Sequence, residues 1–525
     1  MPAPPTFPTN SWPIRPSAPG SRPTSPSAVS PPPRKPAPPS PSSPPPPQTF
    51  SQARPCPIAA AGLEQTTTTR EGPVTHIETI CEHVASTDYT DLPEAAIAAA
   101  KTFVLDTLGV GLAGSSGPKA QELVTLQAGW GQGTDARVWA STQRLPAPAA
   151  AFCNAYQAHN AEFDCIHEQA VAHVMTVVLP VALAGAERLG GVDGKRLLTA
   201  VVLGVDVAAS LGVAARSGLR FFRPATVGAF GGAAALGKLL GFDKERLHHA
   251  LSIAYGQLCG TMQAHTEGSL LLAMQVAFNA RNAVVAADLA AAGIEGPLDV
   301  LEGRFGYFTL FEDGGDLAPV IAQLGRVWRI TEVAHKPFPT GRATHGIIDG
   351  CLTLQRRHGF KAEQIGDVRA VVPPLVHHLV GRPPLPAMAI NYARLCAPFV
   401  AARALLTGTV GLEDFTDAVY RDPATQNLAS RITVEVEDRG DPNALTPVSL
   451  SITLVDGRTH ELRLTEVYGH PAKPMPREAQ LAKLHQNAAL AANPIPNAKL
   501  ARLIDLVDDL ENVDDVGHLV DQLVP

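Results

Sequence analysis

The chain has 525 residues, a formal net charge of -7 and no basic stripe, which argues against a nucleic-acid partner. Its length allows two or three domains with a substantial core. Hydrophobic residues make up 45% of the chain and charged residues 17%, so we expect a largely buried helical protein whose remaining apolar surface is covered in an oligomer.

The cysteines are widely spaced and form no CxxC pair: Cys56, Cys81, Cys153, Cys165, Cys259, Cys351 and Cys396. This argues against structural zinc or iron–sulfur clusters and is typical of a reducing compartment, so we expect a cytoplasmic protein. The stretch before Glu64 has several arginines and no acid, as in mitochondrial transit peptides, but its proline density opposes the amphipathic helix they form. Apolar runs such as 177–191 are too short, or meet a charge too soon, to span a bilayer.

Residues 1–72 are rich in Pro and Ser and lack the apolar residues that a core requires, so we predict a disordered arm. Helical patterns follow over 73–325. Asp91 is predicted to cap the first long helix, with Pro93 in its first turn. Alanine-rich segments with apolar residues at helical spacing then recur without an intervening strand pattern, which predicts an all-helical bundle.

A different pattern begins near Arg326 and predicts a smaller α+β domain over 326–465. Asp456-Gly457 is predicted to form a type I′ hairpin turn, and 391–408 a helix. Residues 466–525 are helical again and are expected to complete the first domain, so the fold class is mainly α. Extended segments are predicted at 326–338, 367–376, 432–437 and 450–467.

The most informative segment is the histidine loop, residues 159–173, which combines three histidines with acidic residues just before an apolar run. Ionisable groups beside apolar surface cost several kcal/mol unless they are paired or used. Asp164, His167 and His173 could abstract and return a proton next to a carboxylate. A metal site built from these residues with His159 and Glu162 is a second interpretation, although no HExxH or HxH spacing occurs. A surface loop with satisfied polar groups is the third.

A second polar group is the lid segment, residues 335–346, with the sequence HKPFPTGRATHG. Its prolines stiffen the backbone, and Lys336, Arg342 and His345 could face one site, where a guanidinium would bind a carboxylate through two hydrogen bonds. An ordinary turn with solvated cations is the alternative.

A third segment, residues 220–234, combines Pro224 with several glycines at the start of a predicted helix. Its N-terminal amides and Arg223 could hold an anion, although such a sequence is also a common packing device. It contains neither a Walker nor a Rossmann glycine motif.

Taken together, these segments resemble the MmgE/PrpD family, which includes 2-methylcitrate dehydratase, cis-aconitate decarboxylase and iminodisuccinate epimerase. The matching pieces run in order from about Thr75 to the C-terminal helices and include AFCNAYQAHNAEFDCIH, AHVMTVVLP, FRPATVGAFGGAAALGKLLG, LEGRFGYF and KPFPTGRATHG. The resemblance implies a large helical domain, an α+β lid domain, a homodimer, an active site between the domains, and chemistry that uses neither a cofactor nor a metal.

The resemblance also implies roles for individual residues. Asp164 falls at the acidic position of the family's D-F-D-D segment, and His167 at a histidine that some members place after it. His173 matches the histidine before the S-x-x-V-L-P stretch and is the leading proton donor. Lys336, Arg342 and His345 match the segment that meets the substrate.

The chain also departs from the family pattern. Leu272 stands where members usually carry a lysine and Val276 at a nearby histidine position, while Gln275 remains a substrate-binding candidate. Cys165, Ile166 and Arg223 replace an Asp, a Thr or Tyr, and a His. Loss of the lysine would remove a charge-assisted contact of roughly 1.5–3 kcal/mol to a polycarboxylate; Arg223 could restore charge from another direction.

Three hypotheses follow. The first is a lyase, a dehydratase or decarboxylase, acting on a small di- or tricarboxylate such as 2-methylcitrate or cis-aconitate. The second is a diverged member with a less charged substrate or little activity, as Leu272, Val276 and Ile166 suggest. The third is a metal-dependent hydrolase that uses the histidine cluster. No nucleic acid and no membrane is expected as a partner.

Overall fold

Long apolar helices form most of the structure, a computed structural model that describes residues 74–437 and 443–525. The predicted arm, residues 1–72, lies outside the described residues. The long helices are His76–Ser86, Glu94–Gly114, Ala120–Trp130, Ala147–His159, Met175–Leu189, Gly194–Ala214, Arg223–Leu239, Lys244–Tyr255, Leu271–Ala291, Arg342–His358, Ala397–Thr407, Arg477–Ala489 and Asn497–Asp508. Shorter helices are Gln263–Glu267, Tyr307–Leu310, Ala318–Ile321, Pro374–Val380, Ile390–Arg394, Asp417–Tyr420, Pro423–Ala429 and Gly517–Asp521.

Small residues let the core helices approach one another closely. A Cβ atom added to Gly231, on helix Arg223–Leu239, would lie 2.5 Å from the carbonyl oxygen of Gly204, on helix Gly194–Ala214. This distance is well inside van der Waals contact, so only glycine fits. The alanine and glycine content seen in the sequence therefore serves helix packing, as the bundle prediction requires.

Helices Glu94–Gly114 and Gly194–Ala214 are long and apolar enough, by length and composition, to cross a membrane. Within the fold, however, 61% and 94% of their most apolar windows are buried by other parts of the chain. Their hydrophobicity is that of core helices, because each is surrounded by other packed helices.

A four-stranded sheet packs against helix Arg342–His358. Its strands lie in the order Ile432–Val436, Ile365–Val372, Val448–Leu454 and Thr459–Leu464. The first two are parallel, with Val368 opposite Ile432, and the remaining pairs are antiparallel. Val448, Leu450, Ile452 and Leu454 alternate with less buried residues, and these apolar side chains face the helix. The α+β pattern predicted for this part of the chain is confirmed.

The C-terminal helices pack back on the helical part of the chain. Leu484, on Arg477–Ala489, fills the space beside Gly109 of helix Glu94–Gly114, where an added Cβ would meet it at 2.7 Å. The proposed domain boundaries at 325/326 and 465/466 stay predictions.

Three local predictions were wrong. Pro93, not Asp91, is the N-cap residue of Glu94–Gly114, because the Asp91 carboxylate instead accepts from the Asp88 N–H. The segment 326–338 holds a 3-10 turn, Arg329–Glu332, and only the short strand Val333–Ala334. At the hairpin, Gly457 alone has a positive φ, of 89°. A type I′ turn needs positive φ at Asp456 as well.

The close contact of Gly204 and Gly231 makes a stability prediction. Gly231→Ala should lower the midpoint of thermal unfolding, because the two helices must move apart, at a typical cost of about 1–3 kcal/mol. Gly129→Ala is the matched control, since Gly129 is also helical but has no other atom within 4 Å of an added Cβ. It should stabilise by about 0.5–1 kcal/mol. Equal midpoints for the two variants, measured by circular dichroism, would contradict this packing.

Candidate active site

A short strand pair joins the histidine loop to the lid segment. Ile166–His167 pairs antiparallel with Val333–Ala334, with Ile166 opposite Ala334. Because the chain continues from Ala334 directly into His335 and Lys336, this pairing brings the lid segment beside Asp164. This short strand pair, with two residues in each strand, therefore brings together the histidine loop and the lid segment, which lie some 170 positions apart in sequence.

The histidine loop itself is tightly folded. Helix Ala147–His159 ends at His159, and helix Met175–Leu189 begins two residues after His173. Between them, Glu162 and Val171 adopt left-handed conformations with φ of 51° and 49°. Left-handed backbone is uncommon for residues other than glycine and is often found at functional sites.

Asp164 is fully buried at the centre of the site. One of its carboxylate oxygens, Oδ2, lies 2.6 Å from His173 Nδ1 and 3.1 Å from His159 Nδ1. The other, Oδ1, lies 3.7 Å from the ammonium nitrogen of Lys336. The Asp164 carboxylate thus lies beside the imidazole rings of His159 and His173 and the ammonium group of Lys336.

Glu162 completes this buried cluster. Lys336 Nζ donates to the Glu162 carboxylate at 2.9 Å and to its backbone carbonyl at 3.3 Å. Glu162 Oε1 also lies 3.7 Å from His159 Nε2. The cluster therefore places two carboxylates beside one lysine side chain and two imidazole rings.

The pKa values of the cluster follow from burial and charge. Burial raises the pKa of both carboxyl groups, but the surrounding cations outweigh it: the pKa of Asp164 lies well below its ordinary value and that of Glu162 falls to about 2. Burial lowers the pKa of His159, yet Asp164 and Glu162 raise it overall. For His173, burial together with Lys336 outweighs Asp164, and the pKa is lowered.

A small cavity of about 50 Å³ opens beside this cluster. Because about 10–15 Å³ holds one water molecule, the described conformation has room for a few waters. Its polar lining comes from Glu162, His173, His265 and Arg342, and its apolar lining from Ile166, Val171, Leu219, Phe222, Pro224, Met262, Gly341, Ala343, Leu379, Val380, Leu395 and Leu445.

The structure brings four of the predicted site residues together: His173, Asp164, Lys336 and Arg342. Arg342 begins helix Arg342–His358 and lines the cavity, and its Nε donates to Glu168 at 2.7 Å. Lys336 is fully buried and reaches the site through Glu162 and Asp164. Its ammonium group contacts the cluster rather than the cavity, so its predicted contact with the substrate stays a prediction.

His167 and His345 have other partners. His167 Nε2 lies 2.9 Å from Glu332 Oε2, and its Nδ1 accepts from the Ala170 N–H at 3.2 Å. Both ring nitrogens of His167 are thus engaged away from His173, and its catalytic role stays a prediction that this geometry does not favour. His345 Nδ1 lies 3.3 Å from the Arg342 nitrogen Nη1, and His345 does not line the cavity.

Arg223 and Gln275 also lie outside the cavity. Arg223 is fully buried and donates to both carboxylate oxygens of Glu312, at 2.9 and 2.8 Å, and to backbone carbonyls. Gln275 Oε1 accepts from the Thr261 N–H at 2.7 Å, which holds the preceding loop. Each is engaged in supporting the fold, so the described conformation gives neither residue a contact with the cavity, and their substrate-binding role stays a prediction.

Several site residues were missed. His159 and Glu162 were considered only as metal ligands, and His265 not at all. Lys483, from the C-terminal helix, donates to the Phe163 carbonyl at 2.8 Å and to Asp106 at 2.7 Å. The sequence gives a signal for His159 and Glu162, since both belong to the histidine loop. His265 and Lys483 are isolated residues in distant segments, and the sequence gives no signal for them.

Among the described residues, His159, Asp164 and His173 form one group whose ligand atoms lie within 4.8 Å of one another, the spacing that a metal ion needs. Lys336 already supplies a positive charge to Asp164, and a divalent cation would have to displace it. His167, part of the metal interpretation made from sequence, is directed to Glu332 instead. The donor set fits proton transfer better than metal binding.

Comparison with known families, made on this fold and site, gives one result. The MmgE/PrpD N-terminal domain matches residues 78–319 and the MmgE/PrpD C-terminal domain matches residues 338–509. The chain belongs to the MmgE/PrpD family. The resemblance stated from sequence and the mainly α fold class are both confirmed.

The similar curated proteins carry one activity in their names. The cis-aconitate decarboxylase of Mus musculus is 28% identical over 448 residues, covering 82% of this chain and 89% of that protein. The Homo sapiens enzyme of the same name is 28% identical over 437 residues, with 80% and 89% covered. That of Aspergillus terreus (strain NIH 2624 / FGSC A1156) is 27% identical over 478 residues, with 85% and 95% covered.

The buried ion pair between Lys336 and Glu162 makes a second prediction. Lys336→Met should destabilise the fold by about 3–5 kcal/mol at pH 7, because two buried carboxylates lose their cation. The carboxyl pKa values are lowered in the native protein, so the ion pair stabilises at neutral pH and this contribution is lost as pH falls towards about 2 for Glu162. In the variant the unpaired carboxyl groups take up protons instead.

Denaturant unfolding at pH 7, 5.5 and 4 checks this: the difference between the unaltered protein and Lys336→Met should narrow as pH falls. Lys119→Met is the control, since the Lys119–Glu122 pair is exposed on the surface, and it should change stability little at any of these pH values. If the difference in unfolding free energy between Lys336→Met and the unaltered protein stayed constant with pH, the assignment of a buried Lys336–Glu162 ion pair would be contradicted.

Proposed function

We propose that this chain is a lyase that acts on a small polycarboxylate, with decarboxylation of cis-aconitate as the specific reaction. The observation that carries the proposal is His173, which lines the cavity and is held by the buried carboxylate of Asp164. The names of the relatives supply the substrate, and the cavity supplies the proton-transfer group that the reaction requires.

The reaction needs a proton donor at carbon. When the C–C bond to the carboxylate on the saturated carbon of cis-aconitate breaks, its electron pair forms a new double bond and CO2 leaves. The electrons of the old double bond then take up a proton on the other alkene carbon. A positioned imidazolium ion can deliver this proton, as general acid catalysis requires.

His173 is suited to this role by its two nitrogens. Contact with the ionised Asp164 orients the ring and places a proton on Nδ1, so Nε2 is the atom available to the substrate. In the resting protein the pKa of His173 is lowered, mainly by burial. A substrate with two or three carboxylates in the same small cavity favours the imidazolium form of His173. Substrate binding therefore promotes protonation of His173, and the reaction consumes this proton.

Arg342 is the cation that lines the cavity, and its contact with Glu168 and with backbone carbonyls fixes its direction. Lys336 supports the site indirectly, because it keeps Glu162 and Asp164 ionised. Since the cavity is small, the walls must move apart to admit a tricarboxylate. Leu395 and the start of helix Arg342–His358 form part of these walls.

A diverged member with a less charged substrate is a second candidate, favoured by the mostly apolar lining and by the pairing of Arg342 with Glu168. Leu272, which stands where family members usually carry a lysine, is buried in the core and does not line the cavity. Turnover of citrate, 2-methylcitrate, cis-aconitate and iminodisuccinate should be compared. No turnover of any by a folded protein would favour this candidate.

His173→Gln should lower kcat for CO2 release from cis-aconitate by about 10²–10⁴-fold, the usual contribution of a general acid. Because glutamine keeps the size and polarity of the side chain, the variant should still bind the substrate. His485→Gln, at an exposed position of helix Arg477–Ala489, is the control and should match the unaltered protein. Unchanged turnover by His173→Gln, with the product identified by mass spectrometry, would refute the proposal.

The pH profile gives a further prediction. The acid form of His173 is required, and its pKa in the free protein is lowered, so kcat/KM should fall as pH rises through a value below 6.5. Asp164→Asn removes the group that raises this pKa, and the falling limb should move to still lower pH. A limb that stays in place in Asp164→Asn would show that another group donates the proton.

A further inference from the structure

A second histidine, His265, lines the cavity without belonging to the histidine loop. It lies on the short helix Gln263–Glu267, and only 7% of its surface is exposed. Neither the proton transfer by His173 nor the buried cluster around Asp164 uses this ring.

Arg382 fixes the chemical form of His265. The Arg382 nitrogen Nη2 lies 3.3 Å from His265 Nδ1, and the Arg382 nitrogen Nη1 donates to the His265 backbone carbonyl at 3.2 Å. A guanidinium group can only donate hydrogen bonds. Nδ1 must therefore be the acceptor, and the single ring proton lies on Nε2.

Burial and the Arg382 charge both lower the pKa of His265, to about 3. The ring is therefore neutral at physiological pH, and it offers one N–H group that Arg382 does not occupy. A fixed donor on the wall of a small, mostly apolar cavity is well suited to an acceptor on a bound molecule.

The charge of Arg382 is not neutralised by the protein. Among the described residues it forms no ion pair, in contrast to Arg342 with Glu168 and Lys336 with Glu162. It contacts neutral groups: the carbonyls of His265 and Leu379, and the ring of Tyr392, whose centre lies 4.9 Å from the guanidinium carbon. A partly buried cation of this kind attracts an anion to the cavity beside it.

We propose that His265 is a substrate-binding residue, whose Nε2–H donates to a carboxylate of the substrate, and that Arg382 is a positioning residue that fixes its tautomer and supplies positive charge. The inference rests on the proposed function, because it requires the cavity to accept a polycarboxylate. It adds a contact on the wall that His265 shares with Met262, Leu379 and Val380.

The test combines binding and turnover. Calorimetry with propane-1,2,3-tricarboxylate, an unreactive probe, should show a Kd about 10–100-fold higher for His265→Leu, the loss expected for a charge-assisted hydrogen bond. In assays with cis-aconitate, KM should rise by a similar factor while kcat changes less than threefold. His265→Gln retains an N–H donor near the position of Nε2 and should recover most of the affinity.

A double-mutant cycle tests whether Arg382 acts through His265. Arg382→Gln should raise Kd alone, but it should add little when introduced into His265→Leu. A merely structural role for Arg382 would give additive losses. Arg369→Gln and His485→Leu, both at exposed positions, are the matched controls and should leave Kd and KM unchanged.

The outcomes separate the two proposals. If the unaltered protein binds the probe or turns over cis-aconitate, and both His265 variants keep its Kd and KM, this inference is overturned and the proposed function stands. If the unaltered protein does neither, both fall. Should His265→Leu fail to fold, Arg382→Gln decides the question: a Kd equal to that of the unaltered protein would overturn the inference.

Discussion

The buried carboxylate of Asp164 is the centre on which the site depends. It lies between His159, His173 and Lys336, and each of these comes from a different part of the local fold: a helix end, a loop end and the lid segment. An ionised carboxyl group this deep would be very costly alone. The lid segment must therefore stay in place for the histidine loop to remain charged, which couples the stability of the fold to the chemistry of the cavity.

The cavity is distinguished by how its positive charges are balanced. Lys336 and Arg342 are each paired with a glutamate, so they organise the walls more than they attract an anion. Arg382 has only neutral partners among the described residues, and its charge reaches the cavity through the ring of His265. A substrate carboxylate would thus meet two histidines of different character: His173, which can take up a proton, and His265, which is kept neutral.

The differences from the sequence predictions share one cause. Arg223, His167 and Gln275 have side chains suited to the chemistry and lie in segments that match the family, yet each contacts another group. Arg223 donates hydrogen bonds to Glu312, and His167 contacts Glu332. Both glutamates lie about ninety residues or more away in sequence from their partners. Local pattern gives the residue type at a position, but the direction of its side chain depends on which distant group it meets.

From the sequence alone, the helical bundle, the α+β portion, the family and the grouping of His173, Asp164 and Lys336 could be predicted, because apolar periodicity and clustered ionisable residues are local properties. Only the tertiary structure showed that Glu162 and His159 share the buried cluster, that His265 lines the cavity and that Arg382 contacts His265. Their segments are joined by strand pairing and side-chain contacts between distant parts of the chain, and such contacts are set by the packing of the whole fold.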